Sequence, residues 1–386
     1  MLVSRSCLSI SLALSMLVPA VAPATAQTAP TQTVTGQTST GQTPIAQTPT
    51  GQTAPPAVDA APVEPPAAPL GNADAKPAEK PKQLVMISFD GAHDNALWQR
   101  SREMATRNGA HFTYFLSCTF LMNKEMKKAY QAPYQKAGRS NVGFAQSDDE
   151  IRQRLDNIWN ASLEGNEISS HGCGHFDGRK WSEANWSQEY TDFRDTLRNA
   201  WKGVGLQEPQ GWRDLVDDRI RGFRAPYLST TEGADMIAAE KKSGFTYDAS
   251  LVTKGPTMPV EEGGIIRFGL PLIPEGPRDR PIIGMDYNLF VRHSKGEEDK
   301  AESKQFEDRA YAAFKRAFDK QYAGDRIPLQ LGFHFVEMNG GAYWRALDRL
   351  VSDVCRRDDV DCVSYSEAIP LIKARGKLKT TPASGL

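Results

Sequence analysis

From Gln83 onward, short apolar runs alternate with longer amphipathic ones. A short run bounded by turn residues predicts a strand, and apolar positions recurring at three- and four-residue spacing predict a helix. The strand candidates are Leu84 to Phe89, His111 to Leu116, Glu167 to Ser170, Arg221 to Phe223, Gly244 to Tyr247, Gly264 to Leu270, Pro281 to Met285 and Leu329 to Phe333. Helical spacing covers Asp148 to Leu163, Ser182 to Trp201, Thr231 to Lys242, Gln305 to Tyr322 and Gly341 to Arg356, and a further helix starts near Asn95. Several of these open on Ser, Thr or Asp, whose side chains satisfy the first free N–H groups of a helix. Strand and helix in alternation is the signature of repeated βα units. Seven or eight such units would close into a barrel of parallel strands.

The first eighty residues lack this pattern. Arg5, the apolar stretch Leu8 to Val21 and the small residues Ala24-Thr25-Ala26 have the layout of a secretory leader, predicting a signal peptide over 1–26 with cleavage near Ala26. An uncleaved anchor is the alternative, although Pro19 breaks the stretch. From Gln27 to Gln52 a Gln-Thr pair returns every five residues, and an Ala/Pro-rich segment follows to Pro81. Such a composition cannot bury a core, so 27–81 is expected to be a disordered linker. One domain over 82–376 and a tail over 377–386 complete the expected organisation, with a secreted or periplasmic location.

The chain has 386 residues with 46 basic and 47 acidic side chains, a net charge of −1. This balance gives no reason to expect nucleic acid or an anionic membrane as partner, and it suits a neutral one. After Gln83 no run approaches the roughly 18 apolar residues of a membrane span. Cys7 leaves with the leader, and four cysteines remain. Cys355 and Cys362 flank an Asp-rich turn and are candidates for one disulfide. Cys118 and Cys173 follow consecutive predicted strands, so both can sit on adjacent loops of one rim. Free buried thiols are the alternative.

Polar residues at strand ends mark where chemistry collects, because loops at the carboxyl rim converge. Asp90 ends the first strand and can bind a metal, accept a proton or cap the following helix; Asp94 has the same readings. His171 and His175 stand four apart after the third strand, a spacing that lets both imidazoles reach one divalent ion. Arg224 precedes Ala225-Pro226-Tyr227; its guanidinium can hold a carboxylate, and the proline fixes a turn that aims the Tyr227 N–H inward. His334 ends the last strand, placed to act as a general acid. Trp181, Trp186, Tyr287, Phe335 and Trp344 fall near the predicted rim loops, where an aromatic ring can stack on a sugar or pack in the core.

In order along the chain, Ser88-Phe89-Asp90, the His171/His175 pair, Arg224-Ala225-Pro226-Tyr227, Asp248 and Leu331 to His334 resemble the motifs of the polysaccharide deacetylase family. This is carbohydrate esterase family four, of the NodB type. The likeness runs from about Leu84 to Ile372, and Phe223 to Leu228 with Tyr247 to Ser250 is most similar to the chitin-deacetylase-like branch. It implies a distorted (β/α) barrel of about seven strands with a divalent metal, usually zinc, and hydrolysis of N-acetyl groups on a glycan. By that resemblance Asp90 is the catalytic base, His171 and His175 are metal ligands, Arg224 tethers the base and Tyr227 donates to the oxyanion. Asp248 would orient the acid, His334. Leu331, Phe335, Trp344 and Tyr287 are the candidate substrate contacts. One position departs: where the family has a second consecutive aspartate as metal ligand, this chain has Gly91. Either Asp94 or His93 replaces it, or Asp90 itself binds the metal, or the chain only binds glycan. Ala249 stands where the family has a tryptophan. An amidase or esterase for a small acyl compound is a further alternative.

Overall fold

The computed structural model describes residues 80–230, 234–376 and 378–381. The expected leader and nearly all of the expected linker lie outside the described residues. The strands are β1 (Gln83–Gly91), β2 (Thr113–Leu116), β3 (Glu167–Ser170), β4 (Gly222–Phe223), β5 (Tyr247–Thr253) and β6 (Val260–Glu262). They continue with β7 (Ile265–Glu275), β8 (Arg280–Ile283), β9 (Leu329–His334), β10 (Val360–Cys362) and β11 (Lys379–Thr381). The helices are α1 (Asn95–Asn108), α2 (Met126–Ala129), α3 (Asp148–Leu163), α4 (Glu183–Gly203) and α5 (Trp212–Asp214). After these come α6 (Ala234–Lys242), α7 (Asp286–Ser294), α8 (Ser303–Ala323), α9 (Met338–Val354) and α10 (Tyr365–Ala374).

Parallel pairing runs β9-β1-β2-β3-β4-β5-β7, seven strands in a curled sheet. A bridge between Met285 and Gly332, with the Gly332 N–H donating to the Gly284 carbonyl at 2.9 Å, brings the two ends of the curl together. This is a distorted (β/α) barrel, the closure that the alternating pattern predicts in the form that the resemblance implies. Along β1 the two-residue period separates two buried faces. Leu84 and Met86 face inward, onto a core with Phe115, Tyr247, Phe268 and Tyr365. Val85, Ile87 and Phe89 face the surrounding helices. Both faces are apolar because helices cover the outside and side chains fill the inside.

Phe89 is fully buried against Phe112, Tyr114, Phe333, Phe335 and Trp344. Truncating it to alanine would cost about 3–5 kcal/mol in lost transfer energy and cavity. Helix α10 plugs the interior core from its end, stacking Tyr365 on Tyr247 at 5.5 Å. Two disulfides are present, Cys118–Cys173 and Cys355–Cys362.

The structure differs from the pattern in three places. The run Pro281 to Met285 is no independent βα unit, because β8 folds back antiparallel on β7 through a tight turn at Gly276, whose φ is +72°. The strand expected at Gly244 to Tyr247 instead begins at Tyr247 and continues to Thr253. Part of the expected tail forms β11, parallel to β6. Among the described residues, no helix is long and apolar enough to cross a membrane.

Candidate active site at the carboxyl rim

The alternation that buries Leu84 and Met86 inside the barrel carries Ser88 and Asp90 to the same inner face. Arg224, in the turn after β4, is fully buried and reaches across to them. Its Nη1 donates to Ser88 Oγ at 2.8 Å and to Asp90 Oδ1 at 2.7 Å. Nη2 donates to the Tyr365 hydroxyl at 2.9 Å, and Nε to the Ala249 carbonyl at 3.0 Å. The guanidinium also lies 4.3 Å from the Phe115 ring centroid. Four hydrogen bonds leave Arg224 a single orientation, and with it Asp90.

His171 follows β3, and its Nδ1 lies 2.7 Å from the Arg224 carbonyl. A carbonyl only accepts, so Nδ1 carries the proton and Nε2 keeps a bare lone pair. The His171 and His175 ring centroids are 5.1 Å apart, and Tyr227 packs edge-on to His175 at 4.5 Å. The loop between the histidines is held from below by Glu189 on α4. Its Oε1 accepts from Cys173 N at 2.7 Å and from Gly174 N at 3.3 Å, while the Tyr130 hydroxyl donates to the same carboxylate. The Cys118–Cys173 disulfide joins this loop to the one after β2.

His334 at the end of β9 is the register partner of Asp90. Partners on neighbouring parallel strands point to the same face, so both side chains converge at the mouth. The His334 Nδ1 lies 2.7 Å from Asp286 Oδ1, and its backbone N–H donates to Asp286 Oδ2 at 2.8 Å. Trp344 Nε1 donates to the His334 carbonyl at 3.0 Å.

The partner of His334 is therefore Asp286, and the expected Asp248 is corrected. Asp248 lies on β5, where Oδ2 accepts from Arg267 Nε at 2.7 Å and Oδ1 accepts from the Ser250 hydroxyl. Ser250 Oγ in turn accepts from Ala225 N at 2.8 Å, so Asp248 braces the Arg224 turn rather than the acid. Asp286 carried the same signal as Asp90, a carboxylate directly after an apolar run. Glu189 had no such signal, because it sits mid-helix.

These contacts set ionisation. Burial pushes the Asp90 carboxyl up, yet the Arg224 charge, with His171 and His334, outweighs burial and holds it below the usual carboxylate range. Burial pulls His334 down, yet the Asp286 charge and hydrogen bond more than compensate, so it is raised. Burial lowers His171, and it lowers His175 to about 3 with the help of its neighbour, so both are neutral imidazoles. A carboxyl shifted down and an imidazole shifted up on adjacent strand ends are suited to act as base and acid facing one space.

The structure superposes on a protein from Mycobacterium smegmatis named as a polysaccharide deacetylase, with a TM-score of 0.50 and 15% identity, covering 80% of this chain and 95% of that one. This chain has the polysaccharide deacetylase fold. Similar structures include a protein from Pseudomonas aeruginosa PAO1 named in the same way, at TM-score 0.45 and 15% identity over 76% of this chain and 91% of that one. Another is a family four carbohydrate esterase pseudoenzyme from Bacillus anthracis, at TM-score 0.37 and 12% identity over 74% and 65%. No family model matches the sequence, and no curated protein does. At these identities the likeness is one of fold, and function rests on the site itself.

The metal site expected of this fold is not assembled. Among the described residues, no group of three or more His, Cys, Asp or Glu side chains can hold a metal ion. The two imidazoles offer donors, but a zinc site needs at least a third. Gly91 has none to offer and sits at φ +84°, Asp94 accepts from Leu97 N at 2.9 Å as the cap of α1, and Asp90 is committed to Arg224. His93 stacks on Phe120 at 5.0 Å. The residues present, as they stand, do not form the expected three-ligand centre.

Three of the four expected substrate contacts are corrected too. Leu331, Phe335 and Trp344 are buried in the core, as are Trp181 and Trp186, because their rings fill the space between sheet and helices. Tyr287 is exposed, and so are two further rim tyrosines, Tyr227 and Tyr134.

Proposed function

We propose that this rim site hydrolyses an N-acetyl group on an amino sugar of a glycan, releasing acetate and leaving a free amine. The observation that carries the reading is the Asp90–His334 pair, one partner's carboxyl lowered by Arg224 and the other's imidazole raised by Asp286. In this reaction Asp90 removes a proton from the attacking water as the new carbon–oxygen bond forms. The carbonyl oxygen gathers charge and accepts from the Tyr227 N–H. His334 then delivers its proton to the nitrogen as the carbon–nitrogen bond breaks. Each proton transfer contributes about 10²–10⁴-fold, and a positioned oxyanion donor adds about 10²–10³-fold. His171 and His175, both neutral, form one wall of the space and add no charge that would compete with the Asp90–Arg224 pair. A neutral N-acetylated sugar suits a chain of net charge −1. The leader-like start and two disulfides support a location outside the cytoplasm.

A second reading is a glycan-binding protein without turnover, and it is favoured by the donor set that stops at two imidazoles. Incubating the purified chain with N-acetylglucosamine oligomers separates the two. Acetate with a matching quantity of new amine supports hydrolysis; oligomer binding without either product supports the binding protein.

A further inference from the structure

Between α4 and α6 lies a cavity of about 410 Å³ whose wall holds Arg194, Arg198, Arg221 and Lys242. Arg221 directly precedes β4 and Gly244, also on the wall, shortly precedes β5, so this is the end of the barrel opposite to Asp90 and His334. The chain as a whole is almost neutral, but the charges here do not balance. Arg198 is firmly paired, with Asp217 at 2.8 Å and Asp195 at 2.9 Å. Arg221 and Lys242 have only distant partners, Asp218 and Glu183, each at 3.8 Å. Arg194 is 8% exposed, and among the described residues it forms no ion pair. Its Nη1 donates to the Val216 carbonyl, and its Nη2 to the carbonyls of Ile220 and Ser243, each at 3.1 Å. Carbonyls satisfy N–H groups but bring no whole negative charge, and a buried cation without a counter-charge is costly. Burial and the charges of Arg198 and Arg221 accordingly lower the Arg194 pKa. Two hydroxyls on the α4 side of the cavity, those of Ser187 and Tyr190, are buried with no hydrogen-bond partner among the described residues.

We propose that this cavity binds a phosphate group, free or carried on a small hydroxylated molecule, at a site separate from the reacting centre. A phosphate monoester carries about −1.5 to −2 charges near neutral pH, which matches one unpaired and two loosely paired cations. A single carboxylate would leave positive charge over. Phosphate oxygens accept from guanidinium groups and from the Lys242 ammonium at once, and the neutral hydroxyls on the wall are further donors. The volume is more than ten times the roughly 30 Å³ that one water occupies in the liquid, which leaves room for a sugar or glycerol unit behind the phosphate.

The test is calorimetric titration of the full chain with inorganic phosphate, glycerol 3-phosphate and glucose 6-phosphate, with acetate as the carboxylate control. Saturable binding of one phosphate group per chain is expected, about tenfold or more tighter than acetate, and the tightest of the three probes identifies the source of the group. The Lys242 side chain is 71% exposed, so replacing it removes one cation without disturbing the core. Lys242→Ala should weaken phosphate binding about tenfold, the loss of one charge-assisted bond, and Lys242→Glu should weaken it further. Phosphate that binds no more tightly than acetate, or a Kd that stays unchanged in Lys242→Glu, overturns the proposal. An anion held at the Asp90–His334 end would be insensitive to Lys242, so the titration decides this site whether or not the chain hydrolyses a glycan.

Discussion

Asp90 and His334 are register partners across the β1–β9 ladder, so a base and an acid from opposite ends of the sequence reach one mouth from adjacent strand tips. Each is set by a separate buried partner, Arg224 for the first and Asp286 for the second.

The His334–Asp286 contact predicts a pH shift. Turnover needs His334 protonated, so activity falls as pH rises through its raised pKa. Removing the carboxylate in Asp286→Asn takes away the two largest raising influences and leaves burial and Arg224 opposed only by Asp90, so the alkaline limb of the kcat/KM profile should move to lower pH. The stability contribution has the same sign: it is full below the unfolded value near 6.5 and is lost as pH climbs through the raised folded value. An alkaline limb that stays in place would mean that another group donates the proton.

Arg224→Met should be costly in two ways. It leaves Asp90 as a buried charge without its partner, for which about 3–5 kcal/mol of lost stability is expected in urea unfolding. In any folded fraction the Asp90 carboxyl rises, and the acid limb of activity moves up. Lysine is not an adequate replacement, because one ammonium cannot reproduce bonds to Ser88, Asp90, Ala249 and Tyr365.

The site residues that end apolar runs were legible in the sequence, because a strand end at a barrel rim is where a polar side chain has room. Asp90, His171, Arg224 and His334 all have that placement. Pairing was not legible. Asp248 and Asp286 both stand near strand candidates, and only the fold reveals that β5 turns Asp248 toward Arg267 while the start of α7 brings Asp286 to His334. The β7–β8 hairpin was also hidden, since its second strand has the same apolar composition as a parallel strand. Glu189 was invisible because a buried carboxylate within a helix has no local mark.

Asp94 is a helix cap, and Asp94→Ala should lower stability by about 1 kcal/mol in denaturant titration while leaving acetate release unchanged. A large loss of activity without loss of stability would return Asp94 to the reacting centre.

Glu189→Ala should loosen the His171–His175 loop, since the Cys173 N–H loses its acceptor at about 1–3 kcal/mol while the Gly174 N–H keeps only the Tyr130 hydroxyl. Burial raises the Glu189 carboxyl to about 7. Because the folded state holds this proton more tightly than the unfolded chain, wild type should lose stability as pH rises from about 4.5 to 7, and Glu189→Gln should lack that slope. Unfolding midpoints across this range check it.

The most direct measurement is acetate release from N-acetylglucosamine oligomers at neutral pH by wild type and by Asp90→Asn, which keeps the side-chain shape and removes the charge. The account predicts release by wild type and a loss of about 10²-fold or more in the variant, with folding retained. Equal release by both, or none by wild type, would contradict it.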